Sequence, residues 1–260
     1  MMTGRGAGLD AVWIRSFHQL RPGAVRLVCF PHAGGAASFY RSLADALASS
    51  VSVLAVQYPG RQDRRREKPV ATIEELADRV YEILRPVATD PLALFGHSMG
   101  AVLAFEVARR LRQDGYPAPV RLVVSGRRAP SVQRDECVHR LADAELIAEL
   151  ALLGAPNLEL LADPEIAAMA MPSIRGDYRA IESYRYRSGP RLDCPMTVLT
   201  GDQDPRVSVA EARAWAEQTT GATEFVVFPG GHFFLAEQPG KVAEAVAAAL
   251  CEGPVRSSVS

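Results

Sequence analysis

The chain has 260 residues, of which 48% are hydrophobic and 23% charged, and its formal net charge at pH 7 is −1. This length and apolar content predict a globular protein with one large core, and the near-neutral charge disfavours a nucleic-acid binder. Residues 1–8 lack the apolar centre of a signal peptide, and no apolar run reaches the length of a membrane span. We therefore expect a cytoplasmic protein that does not associate with membranes.

Four cysteines are spread along the chain: Cys29, Cys137, Cys194 and Cys251. Their wide spacing matches neither a metal site nor a compact disulfide framework. We expect reduced thiols, most of them buried in the core.

The first predicted core strand, Val25–Phe30, leads into the loop Pro31–Ser38, and a helix pattern begins near Phe39. Two glycines and other small residues in this loop leave backbone N–H groups unobstructed. If a nucleophile lies nearby, such a loop supplies one donor of an oxyanion hole, and we assign that donor to Ala33. The alternative is a plain strand-to-helix connection.

A second predicted strand, Val51–Val56, is followed by a charged stretch that ends at Lys68. Charge runs of this kind are most often solvated loops. The functional alternative is a basic rim at the mouth of an active site that steers an acidic or phosphate-bearing partner. The candidate residues for that rim are Arg61, Arg64, Arg65 and Arg66.

The stretch from Leu92 to Phe105 combines an apolar run, a tight turn and an apolar helix pattern. The turn, residues 96–100, places Ser98 midway between two glycines. This is a nucleophile elbow, in which the missing Cβ atoms let strand and helix close up behind an exposed serine hydroxyl. We expect the N–H of Met99 to point towards a developing oxyanion, where the helix dipole favours negative charge.

The other predicted elements alternate between strand and helix, which indicates a mainly parallel sheet covered on both faces. Strands are predicted at Val120–Val124, Pro195–Thr200 and Glu224–Phe228. Helices are predicted from the N-cap Thr72 to Leu84, from the elbow to about Arg112, at Ser208–Gln218 and at Lys241–Leu250.

Residues 131–190 interrupt this alternation with three helical segments, predicted at Asp143–Leu153, Pro164–Met171 and Ser173–Tyr186. They are rich in Leu, Ala and Met, which suits a lid over an acyl pocket as well as a plain structural insert. We expect an N-terminal segment (1–24), a core (25–130 and 191–250), a helical lid (131–190) and a flexible tail (251–260).

A serine, an acid and a histidine follow successive core strands, in that order. A serine hydroxyl needs a base within hydrogen-bond reach, and the base needs a carboxylate to orient it. His232 fits the base better than His32, whose place in the first loop suits an orienting role. Asp202 and Asp204 both follow the preceding strand and both fit the acid, although Pro205 stiffens the loop at Asp204.

The sequence resembles the α/β-hydrolases, and among them the type II thioesterases that accompany polyketide synthases and nonribosomal peptide synthetases. The resemblance extends from about Val25 to Leu250 and rests on six motifs. They are Phe30-Pro31-His32-Ala33-Gly34-Gly35, Tyr58-Pro59-Gly60-Arg61, Gly96-His97-Ser98-Met99-Gly100, Asp177-Tyr178, Gly201-Asp202-Gln203-Asp204 and Gly231-His232-Phe233. It implies a catalytic triad of Ser98, Asp204 and His232, with oxyanion donors at Ala33 and Met99.

The resemblance further implies hydrolysis of short or aberrant acyl units from the phosphopantetheine arm of acyl or peptidyl carrier proteins. No metal or nucleotide cofactor is then needed, because the partner protein carries the phosphopantetheine, and we expect the enzyme to act as a monomer. The alternatives are a generic serine carboxylesterase or acyltransferase, since fold and triad do not fix the leaving group, and a non-catalytic binding protein of the same fold. A dehalogenase or epoxide hydrolase is disfavoured because its nucleophile would be a carboxylate.

Overall fold

A single seven-stranded sheet organises the molecule, for which the computed structural model describes residues 10–251. The strand order is β1-β3-β2-β4-β5-β6-β7, and all neighbours are parallel except β1 and β3. The strands are Ile14–Ser16 (β1), Arg26–Phe30 (β2), Ser52–Val56 (β3), Leu92–His97 (β4), Arg121–Ser125 (β5), Met196–Gly201 (β6) and Thr223–Phe228 (β7).

Helices pack on both faces of this sheet, as predicted. α2 and α3 contribute to the core on one face, and α1 and α8 to the core on the other. The helices are Arg41–Leu47 (α1), Ile73–Leu84 (α2), Met99–Gln113 (α3), Asp143–Leu152 (α4), Pro164–Ser183 (α5), Val209–Arg213 (α6), Phe234–Glu237 (α7) and Pro239–Cys251 (α8). None of these helices is both long and apolar enough to cross a bilayer.

The apolar strands are explained by this double coverage. In β2, Val28 and Phe30 face the core formed with α2 and α3, while Leu27 and Cys29 face the opposite core. A strand with both faces buried cannot alternate apolar with polar residues, so it reads as a continuous apolar run.

Three elements differ from the predictions. The strand β1 lies inside the predicted N-terminal segment and pairs antiparallel with β3; three residues are too few to show a periodicity. The two helices predicted around Pro172 are one helix, α5, with the proline inside it. The helix predicted at Ser208–Gln218 ends at Arg213 and continues as a 3-10 segment to Gln218.

Between β5 and β6 the chain forms α4, α5 and short 3-10 segments, and these have a small core of their own. That core contains Val138, Leu146, Leu150, Met171 and Ile174. The predicted tail lies outside the described residues, except for the last residue of α8.

All four cysteines are free thiols. Cys29 and Cys194 are buried as expected, whereas Cys137 and Cys251 are exposed, so the prediction that most of them are buried is only half right.

Candidate active site

The tight turn between β4 and α3 has the backbone geometry of a nucleophile elbow. Ser98 adopts φ 55° and ψ −117°, a positive-φ backbone conformation that residues other than glycine rarely adopt. A Cβ on Gly96 would lie 2.1 Å from the carbonyl oxygen of Gly100, and one on Gly100 would lie 1.9 Å from that of Phe30. The two glycines are therefore required by the close approach of α3 to the ends of β4 and β2.

Neighbouring strands hold the elbow in place and leave two backbone donors open. The N–H of Ser98 donates to the carbonyl oxygen of Ser125, at the end of β5, at 2.8 Å. Met99 is the first residue of α3, and Ala33 follows β2 by three residues. Within residues 10–251 no hydrogen-bond acceptor is recorded for the N–H of Ala33 or of Met99. This lack of an internal acceptor is what the predicted role of the two N–H groups as oxyanion donors requires.

A histidine and a carboxylate meet on the loops after β6 and β7. Asp204 Oδ2 lies 2.7 Å from His232 Nδ1, and the two side chains are 0% and 4% exposed. The second oxygen of Asp204 accepts the N–H of Arg206 at 2.8 Å. Asp202, the other candidate, is exposed and accepts the N–H of Gly230 instead. Of the two acids, the structure brings Asp204 to the histidine.

Two further histidines lie beside His232. His97 Nδ1 lies 3.0 Å from Ser125 Oγ, and the His97 ring centroid is 5.0 Å from that of His232. Burial lowers the pKa of His97 well below its ordinary value. Burial, with His232 and Arg61 as lesser causes, lowers the pKa of His32 to about 3. Both rings are therefore neutral at neutral pH.

The loop that contains Ala33 is fixed from an unexpected direction. Asp177, on α5, accepts the N–H of Gly34 at 2.7 Å and forms a two-pronged ion pair with Arg61, at 2.6 and 2.8 Å. Arg61 also donates to the carbonyl oxygen of Gly35 at 2.9 Å. Sequence reasoning noted both charged residues as motif members but not as partners, because 116 positions separate them.

This arrangement corrects the predicted basic rim. Arg61 and Arg64 are buried, and each is bound to groups inside the protein. Only Arg65 and Arg66 of the four predicted rim arginines are exposed. The error arose because the run of charges looked uniform along the sequence. Arg61 is bound by the distant Asp177, whereas Arg64 is bound by Gln57 and Glu67, which are close to it in the chain.

A cleft of about 460 Å³ connects these groups. Ser98, His232, His32 and Ala33 all border it. Its opposite wall comes from the helical segment between β5 and β6 and is largely apolar. That wall includes Leu150, Leu153, Leu161, Ile166, Met169 and Ile174. The cleft can therefore hold an apolar chain next to a serine hydroxyl.

The model of the thioesterase domain family matches residues 25–250. The chain belongs to this family. Two curated relatives of this thioesterase are the probable cadicidin biosynthesis thioesterase of Streptomyces griseus and the thioesterase PikA5 of Streptomyces venezuelae. The first is 48% identical over 92% of the chain and 66% of its own length, and the second 44% over 91% and 85%.

Solved structures give the same kinship for this thioesterase. The type II thioesterase BorB, from the borrelidin biosynthetic cluster, superposes with a TM-score of 0.86 at 52% identity, over 92% of this chain and 98% of that one. RedJ, the thioesterase of the prodiginine pathway in Streptomyces coelicolor, has a TM-score of 0.81 at 39% identity, over 86% and 85%. The predicted kinship with type II thioesterases and the α/β-hydrolase fold are therefore confirmed.

Proposed function

We propose that this thioesterase hydrolyses acyl thioesters on the phosphopantetheine arm of carrier proteins, with Ser98, His232 and Asp204 as its catalytic triad. One observation carries the proposal. The His232–Asp204 hydrogen bond of 2.7 Å is buried, and its histidine borders the same cleft as the strained Ser98. The relatives named above support the class of substrate, because they are thioesterases of biosynthetic pathways.

In the acylation step, His232 Nε2 takes the hydroxyl proton of Ser98 while Oγ attacks the thioester carbonyl carbon. The oxyanion that forms accepts hydrogen bonds from the backbone N–H groups of Ala33 and Met99. When the C–S bond breaks, the imidazolium returns its proton to the thiolate sulfur, which leaves as the thiol. Asp204 keeps the histidine in the tautomer with its free lone pair on Nε2, and it stabilises the transient positive charge.

Deacylation repeats the sequence with water in place of serine. His232 takes a proton from water, the hydroxide adds to the acyl-serine carbonyl, and the C–O bond to Ser98 breaks as the proton passes to Oγ. The products are the free acid and the regenerated serine. His32 and His97 are held neutral by burial, so neither of them adds a positive charge beside the acyl-serine.

We further propose that residues 131–190 act as a lid, in keeping with the division of the chain given above. In support, α4 and α5 supply the apolar wall of the cleft opposite Ser98, and this segment has its own small core. Movement of such a unit would open the cleft without disturbing the sheet.

We also propose that the protein is a monomer and that it lies in the cytoplasm, where the reducing environment keeps cysteines as thiols. Burial raises the pKa of Cys194 to about 12 and that of Cys29 well above its ordinary value, so both stay as unreactive thiols at neutral pH.

Intact-protein mass spectrometry tests the function directly. Carrier protein loaded with acetyl or propionyl groups is incubated with the enzyme and, separately, with Ser98→Ala. We expect loss of the acyl mass with the unaltered enzyme only. If the acyl mass persists while a matched oxygen ester is hydrolysed, the carboxylesterase alternative holds; if neither substrate reacts, the chain is a binding protein.

A further inference from the structure

The charged stretch beside the cleft, residues 60–68, is anchored to the rest of the protein by several contacts, and we call it the rim loop. Two of its arginines point into the protein. Arg61 is paired with Asp177, and the Arg64 guanidinium carbon lies 4.1 Å from the ring centroid of Trp13. Arg64 also donates to the carbonyl oxygen of Gln57 at 2.7 Å. These buried contacts fix the rim loop from below.

The backbone of the rim loop is held in an unusual shape. Gly60 has φ 87° and Gln62 has φ 48°, and the second value is strained for a residue with a side chain. Gln62 Nε2 donates to Ser38 Oγ at 2.7 Å, which ties the rim loop to the loop after β2. Strain of this kind persists only where the surroundings determine the conformation, so the contacts of the rim loop set the path of its backbone.

The two carboxylates of the rim loop each form an ion pair with an arginine other than the exposed ones. Asp63 pairs with Arg15, outside the loop. Glu67 accepts from Arg64 at 2.6 and 2.8 Å, and these hydrogen bonds hold the pKa of Glu67 below its ordinary value. Neither acid is therefore available to neutralise the outward cations.

Three exposed cations remain on the rim loop, and we call them the rim cations: Arg65, Arg66 and Lys68. None of them forms an ion pair within the part of the chain that the structure describes. Arg65 borders the same cleft as Ser98 and His232. Arg65 thus places a positive charge without an ion-pair partner at the cleft, and Arg66 and Lys68 follow it on the same loop.

A substrate for this mouth should carry a negative charge at a distance from its reacting carbonyl. Under the proposed function, the phosphopantetheine arm meets this requirement, because its thioester lies at one end and its phosphodiester at the other. An arginine fork matches a phosphate with two parallel hydrogen bonds, which a lysine cannot supply. We propose that Arg65, within the positive field of Arg66 and Lys68, binds the phosphodiester of the carrier-bound arm. This assignment rests on the proposed function.

Steady-state kinetics with three acetyl thioesters test the assignment: acetyl-carrier protein, free acetyl-phosphopantetheine and acetyl-pantetheine, which lacks the phosphate. The variant is Arg65→Gln. The control is Arg191→Gln, which removes the same charge from an exposed position shortly before β6. This position lies near the amino end of that strand, whereas the loops that border the cleft follow the carboxyl ends of the strands. Both are measured at low salt and at about 0.5 M salt, where exposed charges are screened.

We expect Arg65→Gln to lower kcat/KM on both phosphate-bearing substrates by about fivefold to tenfold at low salt, mainly through KM. On acetyl-pantetheine it should change kcat/KM by less than about twofold, and Arg191→Gln should change none of the three. Arg65→Lys should recover part of the loss, and high salt should shrink it.

Other outcomes overturn the assignment. An equal loss of kcat/KM on all three substrates would mean that Arg65 shapes the cleft. A loss of kcat/KM on the carrier protein alone would mean that Arg65 binds carboxylates of the carrier and not the phosphate. If the enzyme hydrolyses all three substrates and Arg65→Gln changes none of the kcat/KM values, the proposed phosphate contact is refuted and the proposed function still holds. If the unaltered enzyme hydrolyses none of them, the proposed function fails and the assignment fails with it.

Discussion

The buried ion pair between the core and α5 should dominate the stability of this region. Arg61 and Asp177 are 6% and 4% exposed, and the guanidinium donates to both carboxylate oxygens. Asp177→Ala leaves a buried positive charge without its counterion and removes the acceptor of the Gly34 N–H. Breaking a buried pair in this way costs about 3–5 kcal/mol, which for a chain of this size lowers Tm by about 10 °C.

Urea unfolding at pH 7, followed by circular dichroism, measures this loss. The companion variants are Asp177→Asn, Arg61→Met and the double variant Arg61→Met/Asp177→Leu. We expect the double variant to be more stable than Asp177→Ala, because it leaves neither charge buried and unpaired. The reasoning is refuted if Asp177→Ala unfolds within about 1 kcal/mol of the unaltered protein, or if the double variant loses the sum of the two single losses.

Three further outcomes follow from the geometry. Asp204→Asn should lower kcat about 10³-fold to 10⁴-fold, while Asp202→Asn should leave kcat nearly unchanged in the same assay; a reversed order would reassign the acid. Gly100→Ala should abolish soluble expression because its Cβ would overlap a β2 carbonyl, whereas Gly240→Ala, with open space around its Cβ, should be neutral or stabilising. Because the pKa of His32 is about 3 when folded and near 6.5 when unfolded, the unfolded state binds the extra proton between those values. The contribution of His32 to stability should therefore be full above pH 6.5 and fall by about 1.4 kcal/mol per pH unit below it, with a shallower slope in His32→Phe urea titrations.

The proposed triad was accessible from the sequence because each member follows an apolar strand. Parallel strands end at one edge of the sheet, and β4, β6 and β7 lie within four neighbouring positions of the strand order. Serine, acid and histidine loops are thereby gathered without any knowledge of side-chain positions. The strand pattern alone left Asp202 and Asp204 both open, because both follow β6. The resemblance implied Asp204, and the structure has Asp204 Oδ2 2.7 Å from His232 Nδ1.

The direction of the rim arginines was not accessible from the sequence. Hydropathy treats Arg61, Arg64, Arg65 and Arg66 alike, yet an arginine is buried only where a partner offsets part of the cost of removing its charge from water. The partner of Arg61 lies on α5, and a distant contact of that kind leaves no local pattern.

Local sequence rules also divided one helix, α5, into two predicted helices. Proline removes one N–H donor and disfavours a helix interior, so Pro172 predicted a break. The helix nevertheless continues, because residues on both sides of the proline, such as Met171 and Ile174, are buried in the small core of the insertion. Tertiary packing on an apolar face outweighs a single lost hydrogen bond.

Both long helices of the insertion, α4 and α5, contact loops of the proposed site, and the two contacts differ in burial. Asp177 of α5 holds the loop that contains Ala33, and its ion pair with Arg61 is buried, with Asp177 4% and Arg61 6% exposed. Glu149 of α4 binds Arg206, whose N–H holds Asp204, through a pair that is 21% and 33% exposed. Solvent-exposed ion pairs contribute less than buried ones. We therefore expect an opening of the proposed lid to separate the Glu149–Arg206 contact before the Arg61–Asp177 contact. The loop that contains Ala33 would then hold its shape while the cleft admits a substrate.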